Sequence, residues 1–170
     1  NETLECWEIA LKSKNTPSAI ALSRQKLPYI NPKLSEKNKC ENGAYIVRMN
    51  SHDNKVTLIA SGSEVELALN VQIALKENNI ESKVVSMPCQ ELFDKQSDDF
   101  KKDILDLESL IVTIEAGNVT SWKKYLGNNG ISLGIDRFGE SAPYKKIYEH
   151  LNLSVEKIVL NIQETLRKQL

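Results

Sequence analysis

The sequence predicts an α/β protein with three layers, αβα, built on a mostly parallel, mixed, five-stranded sheet. Short apolar runs such as "VTLIA" (residues 56–60) and "LIVTIE" (110–115) alternate with helical patterns. This alternation is typical of a parallel sheet that helices cover on both faces. The first two strand patterns are separated only by residues 50–55, which allows a hairpin and therefore one antiparallel edge.

The elements of this sheet follow from the apolar periodicity after residue 43. Strands are predicted at residues 45–49, 56–60, 83–87, 110–115 and 131–135. Helices are predicted at residues 64–78, 88–94, 98–105 and 143–150, with one or two helical turns at 121–126. Ser154 is expected to cap a last helix, whose apolar residues fall on one face.

The first 43 residues are organised differently. Leu4, Trp7 and Leu11 lie at helical spacing and predict a helix over residues 3–14, followed by a short buried strand at 18–23. Residues 28–43 carry two prolines and clustered charges without periodicity, which predicts a linker. Residues 1–27 are too few to bury a core alone, so we expect them to be the tail of a preceding domain. Residues 44–170 are expected to form a second domain.

Composition excludes several classes of function. The net charge of −1 gives no electrostatic reason to expect nucleic acid or an anionic membrane as a partner. No apolar run has transmembrane length. The three cysteines, Cys6, Cys40 and Cys89, are far apart in sequence, and His52 and His150 are isolated, so no metal-ligand spacing appears. Scattered thiols suit a reducing compartment, and we expect a cytoplasmic protein.

Arg24 is the first candidate site residue. It follows the apolar run "AIAL" (residues 19–22), so the pattern places a guanidinium at the end of a strand. Such a group suits an anionic substrate because arginine donates several hydrogen bonds in a fixed geometry. A structural salt bridge or a solvated arginine is an equally good interpretation from the residues alone.

Three further candidates lie at or just after the carboxyl ends of predicted strands, where ligands of parallel sheets bind. Glu115 could be an acid or base with a shifted pKa, although hydrogen bonding to loop amides at a domain interface is the better interpretation. Asp136 and Arg137, in "GIDRFGESAP", could recognise a carboxylate or phosphate, but we favour an interface role for them.

The segment "SGSEVELAL" follows a strand and opens a helix, where backbone N–H groups could hold a phosphate. Ser61 and Glu64 have the spacing of a capping box, in which their side chains satisfy the terminal donors of the helix. We favour the capping box over an anion site.

Six segments together resemble one known family. "ALSRQKLP", "GAYIV", "VTLIASGSEVELAL", "KVVSMPCQELFDKQ", "IEAG" and "GIDRFGESAP" occur in the order found in transketolases. The resemblance implies that residues 1–27 end the pyrimidine-binding domain, that 28–43 are a linker, and that 44–170 are the complete C-terminal domain.

The resemblance also implies an activity. Transketolases transfer a two-carbon ketol (glycolaldehyde) unit from a ketose phosphate to an aldose phosphate in the pentose phosphate pathway. They are homodimers that use thiamine diphosphate and Mg²⁺ (or Ca²⁺).

The family's motifs assign one role within this chain. The arginine of the family's "SRQ" motif binds the terminal phosphate of the sugar, and this role falls on Arg24. The family's catalytic, cofactor-binding and metal-binding residues lie upstream, so none is expected here. We expect the chain alone to be inactive, with a structural and dimer-supporting role.

Three alternatives stay open at this point. Deoxyxylulose-phosphate synthase shares the domain architecture but has "YPRG" where this chain has "LSRQKLP". Dihydroxyacetone synthase, a transketolase-like enzyme that acts on formaldehyde, is harder to separate from transketolase. The third alternative is a regulatory or binding module without catalysis.

Overall fold

The computed structural model describes residues 1–30 and 37–169. The strands are β1 (Tyr45–Met49), β2 (Val56–Ala60), β3 (Ser82–Ser86), β4 (Leu110–Ile114) and β5 (Ile131–Leu133). The α-helices are α1 (Glu2–Lys12), α2 (Glu64–Glu77), α3 (Gln90–Asp94), α4 (Asp98–Leu105), α5 (Tyr144–His150) and α6 (Val155–Lys168). Two 3₁₀ helices, which we call the first and second 3₁₀ turns, span Lys39–Asn42 and Thr120–Tyr125.

The strands form one mixed sheet in the order β1-β3-β2-β4-β5. β2 pairs in parallel with both β3 and β4, β4 pairs in parallel with β5, and β1 is antiparallel to β3. The mixed five-stranded sheet and its antiparallel edge are confirmed. The predicted hairpin between β1 and β2 is wrong. β3 and β4 occupy both hydrogen-bonding edges of β2, so β1 pairs with β3 instead.

Apolar side chains on the two faces of the sheet form two clusters. Along β2, Leu58 points into a cluster with α2 and α6, while Ile59 points into a second cluster with Phe93 of α3 and Trp122 of the second 3₁₀ turn. Successive strand residues alternate between faces, and all five residues of β2 are buried. The three-layer αβα architecture is therefore confirmed.

The two predicted helix caps have different outcomes. Ser154 does cap α6, since its hydroxyl accepts a hydrogen bond from the backbone N–H of Lys157. The predicted capping box of Ser61 and Glu64 does not form, so that prediction is wrong. Ser63 occupies the N-cap position of α2 without a side-chain cap, and the Glu64 side chain contacts Ser63 and Tyr148 instead. The Glu64 carboxylate thus accepts a hydrogen bond from Tyr148, which is distant in sequence, and not from the backbone at the start of its own helix.

The predicted strand at residues 18–23 is also wrong. This segment has no regular secondary structure, and most of its side chains, including Leu22, are exposed. A strand needs a partner, and within the described residues none pairs with it.

The predicted first helix is confirmed as α1, and it contacts the later part of the chain. The Glu5 carboxylate accepts hydrogen bonds from the backbone N–H groups of Lys39 and Cys40, at 2.7 and 3.2 Å. The Glu2 carboxylate accepts from the hydroxyls of Tyr45 and Ser86. Residues 31–36 of the predicted linker lie outside the described residues, and the division into two domains stays a prediction.

Candidate functional site

A cleft of about 390 Å³ opens where β2, β3 and β4 end. We call it the carboxyl-edge cleft. The polar or aromatic side chains that line it include Ser61, Gln90, Glu115, Asn118, Ser121 and Trp122. Parallel strands leave such a crevice because their connections turn away to opposite faces at this edge.

Glu115 lies in the carboxyl-edge cleft directly after β4, as the sequence predicts. Its Oε2 accepts a hydrogen bond from the indole Nε1 of Trp122 at 3.2 Å. Partial burial, together with the nearby negative charge of Glu64, raises the pKa of Glu115 above its ordinary value. The carboxyl group can therefore hold a proton more readily than an exposed glutamate does.

A second carboxylate, that of Glu64, is buried at the start of α2. Its Oε1 accepts hydrogen bonds from the Tyr148 hydroxyl of α5 and from the Ser63 hydroxyl. Burial and the bond to Glu64 raise the pKa of Tyr148, so the phenol stays protonated and donates. The sequence gives Glu64 only a capping role, so this interaction was missed.

The loop after β5 returns close to Glu115. A side chain at Gly134 would place its Cβ 2.2 Å from Val119 Cγ1, so only glycine fits there. This close approach lets the Ile135 N–H donate to the Gly117 carbonyl at 2.9 Å. The loops that follow β4 and β5 are thereby joined.

Asp136 and Arg137 occupy the exposed part of this loop. Asp136 accepts a hydrogen bond from the Asn118 side chain at 2.9 Å, while Arg137 forms an ion pair with Glu140 at 2.6 Å. Phe138, beside them, is 96% exposed. The hydrogen bond to Asn118 thus connects Asp136 to the carboxyl-edge cleft, whereas Arg137 pairs with Glu140 instead.

Arg24 lies apart from these residues. It is exposed, and within residues 1–30 and 37–169 its side chain makes no hydrogen bond or ion pair. The described structure does not bring Arg24 into contact with Glu115, Asp136 or Arg137.

Comparison with known proteins identifies the family. A family model described as the transketolase-like TK C-terminal domain matches residues 43–154. The chain belongs to the transketolase family. Its fold is that of transketolase C-terminal domains: it superimposes on the transketolase of Leishmania mexicana with a TM-score of 0.86 and 35% identity. That superposition covers 98% of this chain and 24% of the Leishmania chain.

Curated transketolases extend the comparison along nearly the whole chain. The transketolase of Sinorhizobium medicae is 39% identical over 168 residues, which cover 98% of this chain and 24% of that protein. The transketolase of Bacillus subtilis is 40% identical over 171 residues, covering 99% of this chain and 26% of that protein. The chain therefore spans about a quarter of the length of the transketolases that it matches.

Within the described residues, no helix is long and apolar enough to cross a membrane.

Proposed function

We propose that this chain is the C-terminal part of an enzyme that transfers a two-carbon ketol unit from a ketose phosphate to an aldose phosphate, the transketolase reaction of the pentose phosphate pathway. The match to transketolases along nearly the whole chain, before as well as after residue 43, carries this proposal. The activity belongs to the whole protein, which we propose to be a cytoplasmic homodimer.

Arg24 is proposed to bind the terminal phosphate of the sugar. Its guanidinium is exposed and makes no ion pair among the described residues, so none of these residues occupies its N–H donors. A phosphate can accept two of these hydrogen bonds side by side, which holds and orients the substrate.

The apolar face of α1 supports the assignment of residues 1–27 to the pyrimidine-binding domain. Leu4, Trp7 and Leu11 lie along one side of α1 and are 67, 50 and 77% exposed. Glu2 and Glu5 contact the first 3₁₀ turn and the sheet instead. We propose that the apolar face packs against the remainder of the pyrimidine-binding domain, because burial of such side chains is favourable.

The cofactor and metal are proposed to be held upstream of this chain. Among residues 1–30 and 37–169, no group of three or more His, Cys, Asp or Glu side chains is placed to hold a metal ion. Thiamine diphosphate with Mg²⁺ (or Ca²⁺) supplies the electron sink of the reaction when bound to the whole enzyme. Glu115, Asp136 and Arg137 are proposed to serve contacts with other domains or with the second subunit.

The decisive experiment is a steady-state assay of the full-length protein with a ketose phosphate donor and an aldose phosphate acceptor. Arg24→Ala should raise KM for phosphorylated sugars by about 10- to 150-fold, since a charge-assisted hydrogen bond contributes roughly 1.5–3 kcal/mol. It should change KM little for an acceptor aldose without phosphate. Lys26→Ala is the matched control, because it removes an exposed positive charge from the same segment.

Two results would reject parts of this proposal. An unchanged KM for every phosphorylated sugar in Arg24→Ala would remove the role of Arg24. Transfer to formaldehyde without transfer to an aldose phosphate would favour dihydroxyacetone synthase. Separately, the isolated 170-residue chain should show no ketol transfer with thiamine diphosphate and Mg²⁺ added, and measurable transfer would contradict its assignment as a non-catalytic part.

A further inference from the structure

Two cysteines that are distant in sequence meet where α1 packs on the first 3₁₀ turn. The thiol groups of Cys6 and Cys40 interact closely enough to shift each other's pKa. Cys40 Sγ also lies 4.0 Å from the carbonyl oxygen of Glu2, which is one helical turn before Cys6 on the same side of α1. Because a helical side chain leans over the turn that precedes it, the Cys6 side chain lies towards Glu2, so this contact brings the Cys40 thiol next to Cys6.

The surrounding contacts hold the two cysteines in this position. Glu5 is next to Cys6 in sequence. Its carboxylate accepts hydrogen bonds from the backbone N–H groups of Cys40, at 3.2 Å, and Lys39, at 2.7 Å. Asn38 donates to the Glu5 carbonyl oxygen at 2.9 Å. These hydrogen bonds fix α1 and the first 3₁₀ turn to each other directly beside the two cysteines.

The two thiols differ in access and in acidity. Cys40 is 1% exposed, whereas Cys6 is half-buried and can be reached from solvent. The interaction with the Cys40 thiol lowers the pKa of Cys6, although burial and the nearby charges of Glu2 and Glu5 oppose this shift. The same interaction, together with burial, raises the pKa of Cys40. Cys6 is therefore the thiol that ionises first and reacts with an external partner.

We propose that Cys6 and Cys40 are a reversible redox site, at which exchange with a small-molecule disulfide of the glutathione type forms an intramolecular disulfide. The Cys6 thiolate attacks one sulfur of the small disulfide, forms a mixed disulfide and releases one thiolate. Cys40 then loses its proton and attacks the Cys6 sulfur, which releases the second thiolate. The two cysteines together lose two electrons and two protons, and the small disulfide is reduced to two thiols.

The third cysteine provides a contrast within the same chain. Cys89 Sγ donates to the Glu91 carboxylate at 3.5 Å, and burial with this carboxylate raises the pKa of Cys89. Cys89 should therefore exchange more slowly than Cys6. The proposed disulfide closes a loop that contains Arg24 and residues 28–39 of the predicted linker, so oxidation joins the two ends of that loop.

The test is equilibration of the full-length protein in buffers with different ratios of oxidised to reduced glutathione. Samples are quenched with acid, unfolded, alkylated with N-ethylmaleimide and mapped by mass spectrometry. The cross-linked Cys6–Cys40 peptide should increase as the buffer becomes more oxidising, while the peptide that contains Cys89 stays alkylated. Cys89→Ser should leave this titration unchanged.

Single replacements test the order of the two steps. Cys40→Ser should accumulate glutathione on Cys6, because the second thiol is missing, and Cys6→Ser should leave Cys40 reduced. In the unmodified protein, full alkylation of both cysteines in oxidised glutathione would overturn the proposal. A lasting glutathione adduct on Cys6 or a Cys40–Cys89 disulfide would overturn it as well.

Discussion

The Tyr148 hydroxyl donates a hydrogen bond to the buried carboxylate of Glu64, and this bond connects α5 to the first turn of α2. The Ser63 hydroxyl donates to the same oxygen at 2.7 Å. A buried carboxylate is unfavourable unless it accepts hydrogen bonds, so Tyr148 contributes to the stability of the whole edge at which the carboxyl-edge cleft opens.

Tyr148→Phe should lower the free energy of unfolding by about 1.5–3 kcal/mol, the usual contribution of a hydrogen bond to a charged group. Urea unfolding followed by circular dichroism measures this change. Tyr144→Phe is the matched control, because Tyr144 packs edge-on against Tyr148 but is exposed. Equal losses in the two variants would show that the bond to Glu64 does not stabilise the fold.

Glu115 should make stability depend on pH in a defined direction. Because burial and the charge of Glu64 raise the pKa of Glu115 in the folded state, its stabilising contribution is complete below the unfolded pKa of about 4.3. The contribution is lost as the pH rises through the higher folded pKa. Glu115→Gln keeps an acceptor for the Trp122 N–H, so its free energy of unfolding should exceed that of the unmodified protein more at pH 7 than at pH 4.

Urea titrations at the two pH values measure this difference. The control is Glu108→Gln, which removes an exposed carboxylate and should give the same small change at both pH values. If Glu115→Gln showed a difference independent of pH, Glu115 would not be the group responsible.

The sheet could be predicted from the sequence because burial on both faces requires continuous apolar strands, as in β2 and β4. The pairing of β1 with β3 could not be predicted in this way. It depends on which edge strand is left without a partner once β2, β3 and β4 have paired, and the pattern of a single strand does not contain that information. The run around Leu22 has the composition of a strand but no partner among the described residues, and local composition does not contain that information.

The candidate site was predictable to a similar degree. Its position at the ends of the strands follows from topology, so the place of Glu115 at this edge could be predicted. Its partners Trp122 and Glu64 were not found, because the folded chain brings them together from separate elements. The proximity of Cys6 and Cys40 was missed for the same reason, since it joins the predicted tail of one domain to the predicted linker.

Gly43 should be one of the least replaceable residues in the chain. It has a φ of +80°, and an added Cβ would lie 2.3 Å from both the Cys89 carbonyl oxygen and the Phe93 backbone nitrogen. Gly43→Ala should therefore lower the free energy of unfolding by about 2–5 kcal/mol, through backbone strain and overpacking together. Gly62→Ala is the control, because Gly62 also has a positive φ of +51° but no atom within 4 Å of the added Cβ.

The control separates the two causes in a thermal or urea unfolding experiment. Gly62→Ala should show only the conformational part, about 1–2 kcal/mol. A loss at Gly43 no larger than that at Gly62 would mean that the first 3₁₀ turn can move away from α3 and relieve the contact.

The two serines with different capping outcomes give the last prediction. Ser154 accepts a hydrogen bond from the Lys157 N–H, so Ser154→Ala should lower the free energy of unfolding by about 1 kcal/mol. Among the described residues the Ser61 side chain caps no N–H group of α2. The Glu64 N–H does donate to the Ser61 backbone carbonyl at 3.1 Å, and alanine keeps this bond. Ser61→Ala should therefore change stability by less than about 0.5 kcal/mol. Urea unfolding of the two variants side by side measures both values, and a loss at Ser61 as large as that at Ser154 would restore the capping box that the sequence predicts.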